Sequence, residues 1–277
     1  MVNFNPDLNQ GDIINNQQLC DLFKCSPQGG MRRSKKTKTL VIISNHVNSI
    51  YDDRWISDEF HYTGMGMEGD QHLEFAQNKT LAESSKNQVD IHLFEVFKEK
   101  EYTYAGKVIL AGKPYKEKQP DKNNHQRSVW MFPLKLAGKN TLTVSEDIIR
   151  DNFERKAKKA RNLSNSELKH RADSSLPIAG NRLVASKQYD RNVWVAEYAK
   201  RRADGICQLC KNEAPFRDKT GNPFLETHHL IWLSKGGEDT IKNTVALCPN
   251  CHRRMHILDD DRDIEQLRLE AEIEIQL

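Results

Sequence analysis

The chain lacks any long apolar run. Its longest wholly aliphatic stretch is Leu40–Ile43, far too short to cross a bilayer. The opening MVNFNPDLNQ has neither the basic start nor the apolar segment of a secretion signal. No membrane partner is expected, and a reducing, cytoplasmic setting is. Cysteine is scarce, with six in 277 residues, and four of the six stand in Cys-x-x-Cys pairs. In a reducing compartment such pairs read as metal ligands before disulfides. Cys20 and Cys25 read as ordinary reduced thiols. Charge of one sign is also lacking, since the net is only +3.

What is present is enough for two domains of ordinary size, with 37% hydrophobic and 29% charged residues. The basic residues are clustered. Arg32, Arg33, Lys35, Lys36 and Lys38 fall in one short loop, and residues 150–172 hold eight Lys or Arg against three acids. Basic clusters on a near-neutral chain point to a polyanion touched at particular places; each run alone also fits a solvated face.

Up to about residue 138 the pattern is strand-rich. TLVIIS reads as a buried strand, and further strands are expected around Phe60–Tyr62, VDIHLFEVFKEK, EYTYAGKVILAG and SVWMFPLKL. VDIHLFEVFKEK alternates as a half-buried strand does. Residues 71–84 suggest a short helix, and KPYKEKQPDKNNHQR a polar, mobile connection. Such a pattern predicts a curved sheet or half-open barrel. Then Thr143-x-x-Glu146 reads as a capping box opening a basic helix over 143–162. A linker broken by Pro177 and Gly180 follows, then a helix that stops at Gly205.

The densest chemistry lies between Cys207 and His256. Cys207-x-x-Cys210 and Cys248-x-x-Cys251 form two knuckles whose four thiolates suit one closed, structural Zn2+ site. The 37 residues between the pairs, 211–247, exceed the spacing of a zinc ribbon, so something is inserted. The insert holds His228 and His229 on a strand-like run, with a Gly236–Gly237 turn and Asn243 before a second strand. Adjacent strand residues face opposite ways. His252 and His256 follow at helical i, i+4 spacing, so one strand histidine and two helix histidines can meet at one divalent metal with open positions. An open site suits phosphodiester hydrolysis, with a neutral imidazole taking a proton from water. The competing reading is a zinc-only module with bystander histidines.

His228-His229, Asn243, Cys251-His252 and His256 resemble the HNH (ββα-metal) nuclease motif in its four-cysteine variant. Residues 190–260 resemble the catalytic domain of McrA-type modification-dependent restriction enzymes. That resemblance implies that His228, His252 and His256 hold the catalytic ion, that His229 is the general base, and that Asn243 orients it through the loop between the strands. Many relatives carry Asp where His228 stands. An all-nitrogen set should accept Mn2+, Co2+ or Ni2+ besides Mg2+. Glu226 reads as an outer support for a ligand or as an exposed carboxylate. Lys235, Lys242, Arg253 and Arg254 read as candidate phosphate contacts.

Tyr51-Asp52-Asp53, Phe60 through Gly66, Asp70-Gln71 and Asn78 through Ala82, with Tyr102 through Val108, resemble the SRA (YDG) domain over residues 10–136. That family binds modified cytosine by flipping it out of the duplex. The resemblance implies a base pocket of Tyr51, Asp53, Tyr62 and Thr63: two aromatic faces, an acceptor for the exocyclic amine and a contact for the methyl group. The Arg32, Arg33, Lys35 and Lys36 loop would hold phosphates. The family's Tyr-Asp-Gly is Tyr104-Ala105-Gly106 here. The alternative makes Tyr51 and Tyr62 core aromatics and Asp53 a turn residue.

The expected architecture is α+β: a curved SRA/PUA-like β-barrel over 1–140, a basic helix and linker over 141–188, and an HNH domain with a four-cysteine zinc site over 189–277. The expected activity is a homodimeric endonuclease acting on double-stranded DNA that carries 5-methylcytosine or a relative. A sequence-specific nicking or homing nuclease, or a non-catalytic reader of modified DNA, are the alternatives.

Overall fold

The computed structural model describes residues 4–123, 125–138, 142–173 and 181–275. Pro177 and Gly180, taken above as linker breakers, lie outside the described residues. Two compact units result, Met1–Ser186 and Lys187–Leu277.

The first unit opens with β1 (Ile13–Ile14), α1 (Asn16–Phe23), β2 (Met31–Ser34), β3 (Thr39–Asn45), β4 (Arg54–Ile56), β5 (Glu59–Thr63) and α2 (Ala76–Ala82). It continues through β6 (Asp90–Lys98), β7 (Glu101–Leu110), β8 (Tyr115–Pro120) and β9 (Gln126–Leu136). These nine strands make one sheet in the order β2-β3-β6-β7-β9-β5-β4, with β1 on β7 and β8 on β9. The fold is α+β as expected, and the sheet is open among the described residues, with β2 and β4 at its ends.

β6 is buried along nearly its whole length, not on one face only. Ile91 and Leu93 join the core that holds Phe60 and Phe132, while Phe94 and Val96 join a second core under Leu19 and Phe23 of α1. A helix packed on the back of a sheet removes the polar face that alternation predicts. The stretch expected to be a mobile connection instead contains β8 and the start of β9. The side chains of β8 alternate, Lys116 and Lys118 exposed and Tyr115, Glu117 and Gln119 more covered, and Tyr115 to Pro120 pair antiparallel with Met131 to Gln126. A strand this polar is made by its neighbour's backbone, not by its own propensity. The Arg32–Lys38 loop is also partly strand, since Arg32 and Arg33 lie on β2.

Next come β10 (Val144–Ser145), α3 (Glu146–Arg161), α4 (Asn165–Asp173) and β11 (Val184–Ala185). Ser145, not Thr143, caps α3, its hydroxyl accepting from the Ile148 amide. Part of the expected linker is therefore helix. β10 and β11 pair in parallel.

The second unit holds α5 (Val193–Ala203), β12 (Glu226–His229), a 3-10 turn (Leu233–Lys235), β13 (Thr244–Leu247), α6 (Pro249–Leu258) and α7 (Asp261–Ala271). Asp204 ends α5 in the left-handed region, followed by Gly205. β12 and β13 pair antiparallel, with His228 opposite Val245 and His229 opposite Thr244. Val245, Leu247, Met255 and Leu267 form their core.

Candidate functional site

The four paired cysteines converge. Cys248 caps α6 and Cys251 lies in its first turn, while Cys207 and Cys210 form the facing knuckle, closed by the Lys211 amide donating to the Cys207 carbonyl at 2.9 Å. Their four sulfurs lie within 4.8 Å of one another, and all four thiols are free. Burial pushes the Cys207 and Cys251 thiols up, and the neighbouring cysteines push Cys251 further. Four such thiols lose their protons together only beside a cation, so the donor set fits a tetrahedral metal and leaves no open position.

His228, His252 and His256 form a second cluster, with one ring nitrogen of each within 4.8 Å of the others. His228 is buried and its Nε2 has no hydrogen-bond partner, so that nitrogen suits a metal ion. Burial, with His256 and His252 alongside, pushes the His228 pKa down to about 3, and burial also lowers His256. Both rings are thus neutral near pH 7, the state a metal requires. Glu226 Oε2 holds His252 Nδ1 at 2.5 Å, leaving Nε2 to face His256 Nε2 at 3.0 Å. A carboxylate behind a ligand histidine fixes its ring and tautomer.

His229, the next residue of β12, lines the same cleft as His228 but bonds elsewhere. Its Nε2 lies 2.9 Å from Asp239 Oδ1, and Asp239 also accepts from the Asn192 amide. The Asn192 amide, then the His229 imidazole, hold the Asp239 carboxyl below the usual range. Asn243 does not touch His229. Its side chain closes the intervening loop by accepting from the Ile231 amide at 2.8 Å and donating to the carbonyls of Ile231 and Glu238 at 2.9 and 2.7 Å. Gly237 is needed beneath it, because a Cβ there would lie 1.9 Å from the Ile231 oxygen. All four histidines line a cleft of about 110 Å³.

In the first unit a cavity of about 550 Å³ opens beside Tyr51 and Asp53. Asp53 is buried and accepts from the Thr63 amide at 2.7 Å; its burial pushes its carboxyl up. Tyr51 donates its hydroxyl to the Gly66 carbonyl and lies under the Arg127 guanidinium. Gln119 lines the same cavity, accepts from the Asp52 amide and reaches Thr63 Oγ1 at 3.3 Å.

Family comparison agrees with this division. Residues 10–144 match the ScoMcrA-like SRA domain and residues 207–257 match the HNH endonuclease. The chain joins an SRA domain to an HNH endonuclease domain. Over 94 residues it is 43% identical to the type IV methyl-directed restriction enzyme EcoKMcrA of Escherichia coli K12, covering 34% of this chain and 33% of that one. The chain thus spans about a third of the length of that curated relative. Among solved structures, the type IV phosphorothioation-dependent restriction endonuclease ScoMcrA is 18% identical, with a TM-score of 0.39 over 96% of this chain and 64% of that one. The modification-dependent TagI restriction endonuclease is 20% identical, with a TM-score of 0.37 over 91% of this chain and 79% of that one.

Within the SRA domain the four expected pocket residues separate. Tyr51 and Asp53 line the cavity, whereas Tyr62 is packed beside Phe60 in the core, its hydroxyl donating to the Gly30 carbonyl at 2.9 Å. Thr63 is buried and does not line the cavity itself; its amide donates to Asp53 and its hydroxyl accepts from Gln119, both of which do. Arg32 is turned inward, 5% exposed, bonded to the Gly29 carbonyl and to Asn16. Arg33 donates to the carbonyls of Ser34 and Thr39. Both guanidinium groups are taken up by acceptors within the domain, while Lys35 and Lys36 are exposed in the turn. In the HNH domain Lys235 pairs with Asp259 and lies 4.4 Å from the Trp232 ring centre, and Arg254 pairs with Asp263. Arg253 is exposed. Four residues that the motif did not signal belong to this site: Asp239, and Tyr189, Arg191 and Trp232 along the cleft. Trp232 packs its ring on His256. No spacing rule points to them: Tyr189 and Arg191 come from the segment before α5, and Trp232 and Asp239 from the connection between β12 and β13.

Proposed function

We propose that this chain is a modification-dependent DNA endonuclease. Its SRA domain takes a modified cytosine, 5-methylcytosine or a relative, flipped out of the duplex. Its HNH domain hydrolyses a phosphodiester bond. The observation that carries the reading is the open three-histidine cluster with the His229–Asp239 pair beside it. No helix among the described residues is long and apolar enough to cross a membrane.

His228, His252 and His256 would hold a divalent ion, of the Mg2+, Mn2+, Co2+ or Ni2+ kind, and the four cysteines Zn2+. When bound, such an ion stabilises the charge gathering on the scissile phosphate and the leaving oxygen. Asp239 accepts from His229 Nε2, which leaves the Nδ1 lone pair to take a proton from the attacking water. The water oxygen then bonds to phosphorus as the ester oxygen leaves. The Asn243 bridge keeps the loop that carries Asp239 in place. Arg191, on the cleft wall, offers a guanidinium to a phosphate oxygen. In the SRA domain, Asp53 is the acceptor for the cytosine amine and Tyr51 a stacking face. One HNH site cuts one strand, so a double-strand break requires a homodimer or two binding events.

The test compares methylated and unmethylated copies of one plasmid, with Mg2+ or Mn2+ supplied. Selective cutting of the methylated copy is expected, and equal cutting of both removes the modification reading. His229→Ala should abolish cutting while folding, zinc content and binding persist. Cutting at the wild-type rate would show that His229 is not the base.

A further inference from the structure

We infer that the α3–α4 segment, which lies beyond the residues matched as SRA, forms the phosphate-binding wall of the base cavity. The recognition site is then completed by what the sequence pattern marks as a basic helix and linker. This inference rests on the SRA domain receiving an extruded nucleotide.

The cavity has two chemically different sides. One is the SRA sheet and its loops, with Asp53 buried at the wall, Glu117 already neutralised by Arg54 at 2.6 Å and Lys118 donating to the Ser128 hydroxyl at 2.9 Å. The other is α3 and α4, which bring Arg155, Lys156, Lys159 and Arg171 to the same space. Residues 10–144 contain none of these four. A nucleotide has the matching polarity. The cytosine edge carries a donor amine, which suits a carboxylate wall, and the phosphate is an anion, which suits a cationic one. At about 550 Å³ the space is in the range of small-molecule sites, large enough for the sugar and phosphate as well as the base.

The basic side is loosely held. α3 buries none of its residues fully, and only Ile148 and Ile149 near its start pack on the sheet core. Further along, Arg155 donates to the His46 carbonyl at 3.4 Å and to Asn152 Oδ1 at 3.0 Å, and Lys159 donates to the Val47 carbonyl at 3.3 Å. These acceptors are neutral, and the two backbone contacts are long. A phosphate offers each cation a charged acceptor, and a charge-assisted bond is the stronger one. His46 and Val47 also line the cavity, so both cations already stand at its rim.

The sharp consequence is selectivity. A basic helix that merely tracks the backbone contributes equally to any duplex. A wall inside the base cavity meets a phosphate only when a nucleotide has entered. The full-length protein, without added divalent ion, is titrated against two duplexes by fluorescence anisotropy across a salt series. One duplex carries a single 5-methylcytosine and the other is unmodified; 2-aminopurine beside the target base reports extrusion. For Arg155→Ala with Lys159→Ala, binding to the methylated duplex should weaken about 10- to 100-fold. The slope of log affinity against log salt should flatten by roughly 2. Binding to the unmodified duplex should change little, and the 2-aminopurine signal should fall. The pair Arg155→Gln with Lys159→Gln should behave alike, with an unchanged melting temperature showing that the fold is intact. Equal weakening on both duplexes, unchanged binding, or tighter binding by a variant overturns the inference, the last by making the helices a cover that must move away. A wild-type protein that binds both duplexes alike overturns the base-recognition reading itself and this wall with it. A wild-type preference retained in full by the variants overturns the wall alone.

Discussion

Replacing Glu95 by glutamine should loosen the SRA unit measurably. Glu95 sits on β6 with its side chain fully buried, its carboxylate 2.8 Å from His46 Nε2 and 2.5 Å from an Arg182 nitrogen. Arg182 precedes β11 and spreads over the rings of Trp55 and Phe97, and His46 stacks on Phe97 at 4.9 Å. Burial alone would raise the Glu95 pKa. The His46 hydrogen bond and the Arg182 charge outweigh it and hold the carboxyl at about 2, against an ordinary 4.5. That depression corresponds to about 3 kcal/mol favouring the folded, ionised form. Glutamine keeps the shape and removes the charge, leaving the half-buried Arg182 guanidinium without its carboxylate, which costs up to about 3 kcal/mol. Urea denaturation at pH 7 should lower the unfolding free energy of this unit by that order. Acid supplies the second reading. Because the folded pKa is depressed, the contribution is complete above about pH 4.5 and is lost as pH falls toward about 2. Wild type should lose stability across that window and the variant should lose less. A variant within 1 kcal/mol of wild type, with the same acid profile, would refute the reasoning.

Asp239→Asn should lower the cleavage rate by roughly 10²- to 10⁴-fold, with metal content and DNA binding retained, since His229 loses the partner that sets its tautomer; unchanged single-turnover cleavage would dismiss Asp239. Gly237→Ala forces the Ile231 carbonyl away from a Cβ 1.9 Å off and disturbs the Asn243 bridge. It should cost about 1–3 kcal/mol in thermal unfolding of the second unit and reduce cutting; a wild-type melt would show that the loop yields freely. Cys248→Ala, or a strong chelator, should unfold residues 187–277 while the SRA unit stays folded, because metal binding at such sites contributes on the order of 10 kcal/mol. Circular dichroism with metal analysis decides it, and a native second unit without metal is the contrary result.

Metal chemistry was legible because its spacing is local. Cys-x-x-Cys makes one knuckle, and His252 and His256 share a helix face whatever surrounds them. The strands with apolar patterns were legible for the same reason. β8 was not, because its residues are polar and its existence depends on β9. Tyr51 and Tyr62 look alike as residues, yet one faces a cavity and the other fills the core. Arg32 carries the same charge as the exposed Lys35 and Lys36 but directs it inside.

By itself, the sequence determined the chemistry: which side chains can hold a metal, which imidazole stands apart from the ligands, and which domains are joined. These follow from residue type and short-range spacing, which a chain keeps before it folds. The tertiary structure alone decided the partners of that chemistry. Asp239 meets His229 across ten positions of loop, Glu226 meets His252 across 26, and Arg155 reaches the rim of the cavity beside Asp53 from 109 residues beyond His46. Contacts at such separations are set by packing, and no local pattern records them.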